Sequence, residues 1–513
     1  MKCISVDIGS TWTKGLYCSL VDDELEILSM KSTPTTSHYL PEGFYLLLGE
    51  LLQLQLKGSR HVLQALEKGD IPVYISSSAK GGLRIAAIGI VPELTLKAAA
   101  ATALSAGAKV VKVFSYNLTP EDIEILEEID PDIILLTGGT DGGNRDYPLY
   151  NARCLAEAGL SAHIVYAGNR SIRHKIAEIL RDVEQAGRMW YADNILPDLE
   201  TVNPVPAREK LHEIFLKRIV EGKGLQEIVQ IARTPILPTP YSVLEFVSRV
   251  RSFSSDWGNF ALIDLGGATT DFYSACGDSF SADTIIKRGL PEPRVKRTVE
   301  GDLGMRINAE EVADHISKNR HIMQTAPPAP SVSVGTELDN KLDKELDSKL
   351  KELSAWARKT AARPDLIAKT TQEKEHDKTL AAACISIAAE RHTGVTRKVQ
   401  TGSGEYVVQY GKDLRAVDKV IGTGGFLSRM HAFDPRPWIY NLQASREDEI
   451  LLIPKKCNYY QDRNYLIPLL ANLAPHFPQA VIPFGISRLV ECDNFLTKND
   501  EKESGKKALR ATM

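Results

Sequence analysis

Val6 to Tyr17 reads VDIGSTWTKGLY, and Leu262 to Ser274 reads LIDLGGATTDFYS. Each is an apolar run ending on an aspartate, then glycine and small hydroxylated residues, then a second run carrying an aromatic. Apolar runs on either side of a short glycine-bearing stretch predict two strands joined by a tight turn. Asp7 and Asp264 stand 257 residues apart in a chain of 513. The echo predicts two domains of common plan, each presenting a hairpin turn to one shared site.

The residue types in these turns fit one kind of ligand. A nucleoside triphosphate presents oxygens that take up backbone N–H groups, a cation and Mg2+, and the ion in turn takes carboxylates while keeping several waters. In the first turn Gly9 lets the backbone approach a phosphate, Ser10, Thr11 and Thr13 offer hydroxyls, Lys14 offers charge, and Asp7 can hold a metal-bound water. The second turn offers Asp264, Gly266, Gly267, Thr269 and Thr270, with Asp271 open to a site role or a structural one. A third stretch, VIGTGGFLS from Val420 to Ser428, brings Gly422, Gly424 and Gly425, bare backbone against which a flat base can slide. GSTWTKG is not a P-loop, because it lacks the spacing and the GK[ST] ending.

Outward from these stretches, the composition is that of a globular protein with more than one domain: 43% hydrophobic and 25% charged residues over 513 positions. A formal charge of -4 gives no reason to expect nucleic acid or an anionic membrane as a partner. The first strand reaches Asp7 too early for a signal-peptide core, and no run approaches the ~18 apolar residues of a spanning helix. A cytoplasmic protein is expected. Seven dispersed cysteines without a CxxC pair read as reduced thiols, and with HExxH absent no zinc site is predicted.

Strands are expected at 3–8, 15–21 and 25–30. From Leu94, helical stretches alternate with KVVKVF (109–114), DIILLT (132–137), AHIVYA (162–167) and RMWYAD (188–193), the pattern of a doubly wound parallel sheet inserted in the first half. The resulting division is a first half at 1–93, the inserted α/β subdomain at 94–250, the start of the second half at 251–324, a charged linker and amphipathic helix at 325–378, the adenosine-binding part at 379–496 and a disordered tail at 497–513. Leu338, Leu342, Leu346, Leu350 and Leu353 share one helix face, which either packs on its own domain or docks a partner. LLTGGTDGGN (135–144) is either a ligand or partner loop or a tight structural one. Glu300 and Asp302 either cap the helix that follows or contact ribose or metal.

The three glycine-bearing stretches resemble the phosphate-1, phosphate-2 and adenosine motifs of the superfamily that joins actin, heat-shock chaperones and sugar kinases. Together with LLTGGTDGGN, YAGNR (166–170) and KRTVEGDLGMR (296–306), they resemble the glutamate mutase accessory family of the MutL or GlmL type. That resemblance implies an α/β, actin-like ATPase (ribonuclease H-like) fold of two related domains, with ATP and Mg2+ in the cleft between them. It implies further that Asp7 and Asp264 position Mg2+ waters, and that the chain is an ATP-dependent reactivating chaperone of an adenosylcobalamin-dependent mutase, glutamate mutase first among them. No DxHxxG pattern is present, so cobalamin should belong to the partner. Two other readings use the same fold: a small-molecule kinase, which needs a carboxylate base in the cleft, and an iron-sulfur activator, which the scattered cysteines do not favour.

Overall fold

A computed structural model describes residues 1–36, 38–55, 58–78, 83–91, 95–106, 108–220, 224–277, 285–288, 291–319, 337–401, 404–442 and 449–492. The proline-rich stretch at 325–334, the tail at 497–513 and the side chains of Leu338 and Leu342 lie outside what is described.

Strands β1 (Lys2–Ile8), β2 (Trp12–Val21) and β3 (Glu24–Pro34) form an antiparallel meander. On the far side of β1, β4 (Val73–Ser77) and β10 (Leu237–Pro238) add in parallel, giving the order β3-β2-β1-β4-β10. The second half repeats the plan. There β11 (Phe260–Leu265), β12 (Thr270–Ala275) and β14 (Val295–Glu300) are antiparallel, and β17 (Lys419–Thr423) and β19 (Asn458–Gln461) follow in parallel. Its order is β14-β12-β11-β17-β19, with β20 (Val490–Cys492) added antiparallel at the edge. Three antiparallel strands followed by parallel ones is the ribonuclease H-like order. Two copies about one cleft make this an actin-like ATPase fold.

Position in the sheet explains the sequence of each strand. Central β1, KCISVDI, is buried throughout except at Lys2, whereas edge strand β3 exposes most of its residues. Between β4 and β10 lies an all-parallel sheet of β5 (Arg84–Gly89), β6 (Lys109–Ser115), β7 (Ile133–Leu136), β8 (His163–Tyr166) and β9 (Met189–Tyr191), ordered β6-β5-β7-β8-β9. The four apolar runs read from the sequence are β6 to β9; β5, upstream of Leu94, escaped that reading.

Alternate residues of this inserted sheet serve two cores. Ile85, Ala87, Ile133, Leu135 and Val165 pack with Ile4, Val6 and Ile8 of the first half, among α1 (Leu40–Leu51), α2 (Ser59–Gly69), α3 (Lys97–Ser105), α8 (Val205–Val220) and α9 (Leu225–Val229). Ile88, Ile134, Leu136 and Tyr166 face α4 (Pro120–Ile129), α5 (Asp146–Ala158), α6 (Arg173–Ile179) and α7 (Arg181–Gln185). Because one core is common property, the insert is fused to the first half.

The second half packs α11 (Ala309–Lys318), α12 (Glu337–Ala362), α13 (Thr371–His392) and α14 (Arg436–Tyr440) on its main sheet. A smaller sheet, β13-β16-β15-β18, is built from β13 (Ile285–Arg288), β15 (Val395–Thr401), β16 (Gly404–Tyr410) and β18 (Glu449–Leu451). α13 starts at a capping box between Thr370 and Glu373 and is buried along most of Leu380 to Ala389. Leu350 and Leu353 of α12 are buried beside Trp356 and Ala357, so the described part of the leucine face packs on its own domain.

Helices α10 (Thr239–Phe253), α15 (Leu466–Ala471) and α16 (Pro478–Ser487) link the halves. Val243, Phe246, Leu469 and Val481 form one core with Cys3, Leu16 and Cys18 on one side and Phe260, Leu262 and Tyr273 on the other. No described helix is long and apolar enough to cross a membrane. All seven cysteines are free thiols.

Candidate functional site

The two hairpins close their turns by the same hydrogen bond. Gly9 N–H donates to the Trp12 carbonyl (3.1 Å), and Gly266 N–H to the Thr269 carbonyl (3.0 Å). A Cβ would fall 2.6 Å from Trp12 O in one case and 2.9 Å from Thr269 O in the other, so both positions need glycine. The amides of Ser10, Thr11, Gly267 and Ala268 have no acceptor among the described residues. Such successive free N–H groups form an anion-binding concavity. The tips touch: a Cβ on Gly267 would lie 2.7 Å from Thr11 Cγ2.

The turns differ in how their carbonyls are braced. In the first, Thr35 alone serves among the described residues, its hydroxyl donating to Gly9 O (2.8 Å) and its amide to Thr11 O (3.0 Å). In the second, the amides of Met305, Arg306 and Ile307 donate to Gly266 and Gly267, and Asn308 Nδ2 donates to Ala268 O (2.7 Å). The end of the RTVEGDLGMR stretch and the two residues after it do this work, and Gly304 passes so close that a Cβ would stand 2.5 Å from the Ala268 backbone. Glu300 and Asp302 neither cap α11, whose N-cap is Asn308, nor line the cleft. Both pair with Arg391 (2.6 and 2.9 Å), and Asp302 also meets His315 (3.1 Å).

Between the turns lies a cavity of about 170 Å³, several times the ~30 Å³ of one water. Ser10, Thr11, Lys14, Asp264, Gly267 and Tyr465 are among its walls. Lys14 stands opposite Asp7 in the β1–β2 pair, and its ammonium lies 3.3 Å from the centroid of the Tyr465 ring. Burial holds the lysine's proton affinity below its usual range, against the pull of Asp7 and Asp264.

Asp7, 1% exposed, sits just beneath the cavity wall. Its Oδ1 accepts from the hydroxyls of Thr239 (2.6 Å) and Ser76 (3.3 Å), and its Oδ2 from that of Tyr465 (3.0 Å). Asp264 has no hydrogen-bond donor among the described residues, and burial, reinforced by the Asp271 carboxylate, pushes its carboxyl up to about 7. Asp271, opposite Asp264, is neutralised by buried Arg297, whose Nε donates to it at 2.8 Å. Arg297 also donates to Leu104 O at the end of α3, and Lys109 Nζ donates to Gly301 O (2.8 Å). The insert is thereby tied to the second hairpin.

Three predicted contacts turn away from the cavity because strand side chains alternate. Thr13 bonds the Thr35 hydroxyl (2.9 Å), and Thr270 donates to Leu303 O (2.6 Å). Gly422 packs inside the sheet, where a Cβ would stand 2.4 Å from Tyr459 OH. Gly9, Ser10, Thr11, Lys14, Asp264, Gly266, Gly267, Thr269, Gly424 and Gly425 do line it. Gly424, at φ +100, leaves no room for a Cβ beside Leu265 O (2.3 Å), whereas Gly425 faces open space.

Sequence reasoning missed several walls. Phe426 stands inside the third stretch just after its glycines, Met430 lies two residues past its end, and Leu366 and Ile367 reach in from the loop between α12 and α13. That loop is held by Arg306, which forms a two-pronged pair with Asp377 (3.0 and 2.7 Å) and donates to Leu366 O. Arg429 lies over the Trp12 ring at 5.4 Å, joining the halves at the rim. The LLTGGTDGGN loop lies apart from the cavity and is internally tied: Asp141 accepts from Arg170 N and Asn194 Nδ2 (both 3.0 Å), and the buried Asn169 side chain ties Gly142 to Asn144, while Gly142, Gly143 and Asn144 stay exposed.

The residues present fit a Mg–triphosphate. Free amides and Lys14 face where phosphates would lie, and two carboxylates, one without a donor, suit an ion that keeps most of its waters.

A family model described as MutL protein matches residues 3–485, and the chain belongs to that family. It is 35% identical over 482 residues to Protein MutL of Clostridium tetanomorphum, covering 93% of this chain and 96% of the relative. Among solved structures, similarity is found to nucleotide-free acetone carboxylase (14% identity, 92% of this chain and 70% of that one, TM-score 0.37). It is also found to a nucleotide-free diol dehydratase-reactivating factor (10%, 94% and 99%, TM-score 0.30) and to the ADPNP-bound activator of 2-hydroxyisocaproyl-CoA dehydratase from Clostridium difficile (11%, 96% and 100%, TM-score 0.24). At these scores the fold assignment rests on strand order, not on superposition.

Proposed function

We propose that this member of the MutL family is a Mg2+-dependent ATPase that works as a reactivating chaperone for an adenosylcobalamin-dependent mutase, glutamate mutase first among them. One observation carries the nucleotide part: two equivalent aspartate hairpins touch at their tips over one cavity, and four residues lining it have amides without an acceptor among the described residues. Family membership carries the partner. Lys14 and the amides of Ser10, Thr11, Gly267 and Ala268 bind the phosphate chain, the hydrophobic wall of Phe426, Leu366 and Ile367 takes the base against Gly425, and Asp7 and Asp264 hold metal-bound water. Mg2+ bound there would offset the charge on the β- and γ-phosphates. Because ligand groups come from both halves, nucleotide favours one mutual arrangement of the halves, and a partner surface on the insert or on α12 can read it. Cobalamin stays with the partner.

The test is a pull-down of purified glutamate mutase, inactivated by a cobalamin analogue, with and without ATP. Capture that changes with nucleotide supports the proposal; equal absence of binding in both arms overturns the partner. The kinase reading keeps one observation in its favour, the unpartnered Asp264 carboxyl near 7, which suits a general base. It demands ATP turnover that rises steeply with one small hydroxylated or acidic substrate.

A further inference from the structure

Tyr465 is an unusual residue in an unusual place. It precedes α15 with φ +55, a left-handed conformation that a bulky side chain adopts only when its surroundings impose it. The surroundings are identifiable. Asp462 accepts from the amides of Leu466 (2.7 Å) and Ile467 (2.9 Å) and from the Thr423 hydroxyl (2.8 Å), which fixes the turn at the end of β19. From that turn the ring projects across the cleft into the other half, where its hydroxyl donates to Asp7 and its face carries the Lys14 ammonium. The helix it starts is seated on β1, with Ser5 donating to Leu469 O (2.6 Å) and Asn472 donating to Val6 O (3.0 Å). A second linking helix, α10, starts at Thr239, whose hydroxyl holds the other oxygen of the same carboxylate.

We infer that Tyr465 is a positioning residue that reports occupancy of the cleft: it holds Asp7 and Lys14 while no Mg–nucleotide is present, and gives up both when one binds. This rests on the nucleotide reading of the cleft. The chemistry is competition. Lys14 has no hydrogen-bond acceptor among the described residues, so its ammonium rests on the ring, and a phosphate oxygen is a better partner than a π face. Asp7 Oδ2 accepts from the phenol, and a metal-bound water would compete with the phenol as donor to that same oxygen. Releasing both contacts frees a strained residue at the head of a helix that spans the halves. Occupancy is thus converted into movement at the start of α15.

Mg–ATP binding by calorimetry, in wild-type protein and in Tyr465→Phe, tests this. The variant keeps the ring and removes the competing hydroxyl, so apparent Mg–ATP affinity should rise roughly three- to tenfold, one hydrogen bond's worth. ATP affinity measured without divalent cation should be unchanged. Equal or weaker Mg–ATP binding in the variant overturns the inference, because the phenol would then be part of the bound site or irrelevant to it. As a second measurement, hydrogen exchange at the Leu466 and Ile467 amides of the wild-type protein should change when Mg–ATP is added; unchanged exchange at saturating nucleotide also overturns it. Absence of any ATP binding by the wild-type protein is a different failure, that of the cleft reading itself, and takes this inference with it.

Discussion

The two hairpins share a turn geometry and diverge in what stands beside it. At the strand position opposite the aspartate, the first hairpin has Lys14 and the second has Asp271. The first aspartate accepts from three hydroxyls, two of them from the heads of linking helices, and among the described residues its turn is braced by Thr35 alone. The second aspartate has no donor among the described residues, and its turn is clasped by four consecutive residues, Met305 to Asn308. Duplication of a motif therefore did not duplicate a role. The second hairpin is clasped from beside and offers an open carboxylate; the first carries the cation, Lys14, and is joined through Asp7 to the heads of α10 and α15.

The contrast can be broken at several points. The largest effect on folding is expected from Arg297→Ala, which leaves Asp271 buried without its cation and should cost about 3–5 kcal/mol in urea denaturation. Lys14→Ala, at the equivalent position of the first hairpin, removes a cation that rests on a ring and pairs with no carboxylate among the described residues, so it should cost clearly less than Arg297→Ala by the same measurement while weakening ATP binding. Comparable losses would erase the distinction between structural and ligand-facing charge.

Gly304→Ala comes next. Its methyl would push the Ala268 backbone, so a loss of about 1–3 kcal/mol is expected in thermal unfolding. Gly425→Ala, facing open space, should leave the melting temperature alone and weaken nucleotide binding instead.

The smallest effect is pH-dependent and concerns Asp264 without metal or nucleotide. Its folded-state value of about 7 lies above the ordinary 3.8, so between those values the folded protein holds a proton that the unfolded chain has released. Stability contributed by that proton is lost as pH rises through 7. Asp264→Asn should therefore melt on the order of a few degrees above wild type at pH 8, with the gap closing toward pH 4. Asp7→Asn, whose oxygens are all engaged, should show no such gain.

Much of the fold was legible because it is carried by local signals. The paired DxG turns, the third glycine stretch and the four apolar strands of the insert all announce themselves by composition and period. β5 did not, since RIAAIG spends two of its apolar positions on alanine where β7 reads IILL and β8 HIVY. Within the site, types were legible and directions were not: Thr13 and Thr270 have the right chemistry but the wrong parity, and Gly422 serves packing against Tyr459. Lys14 and Asp271 share the 257-residue offset, so their opposed charges were a readable sign that the hairpins differ. Tyr465, Leu366 and Arg429 come from distant parts of the chain and carry no local motif; only tertiary packing brings them to the cleft.

The account stands on one Mg–nucleotide being held jointly by both hairpins. Mg–ATP titration of Asp7→Asn and Asp264→Asn beside wild type, with circular dichroism to verify folding, is the most direct examination. Each substitution should weaken Mg-dependent binding by roughly tenfold or more, the worth of about one charged contact, and leave the weak Mg-free binding in place. Wild-type Mg–ATP affinity in either folded variant would contradict a shared site.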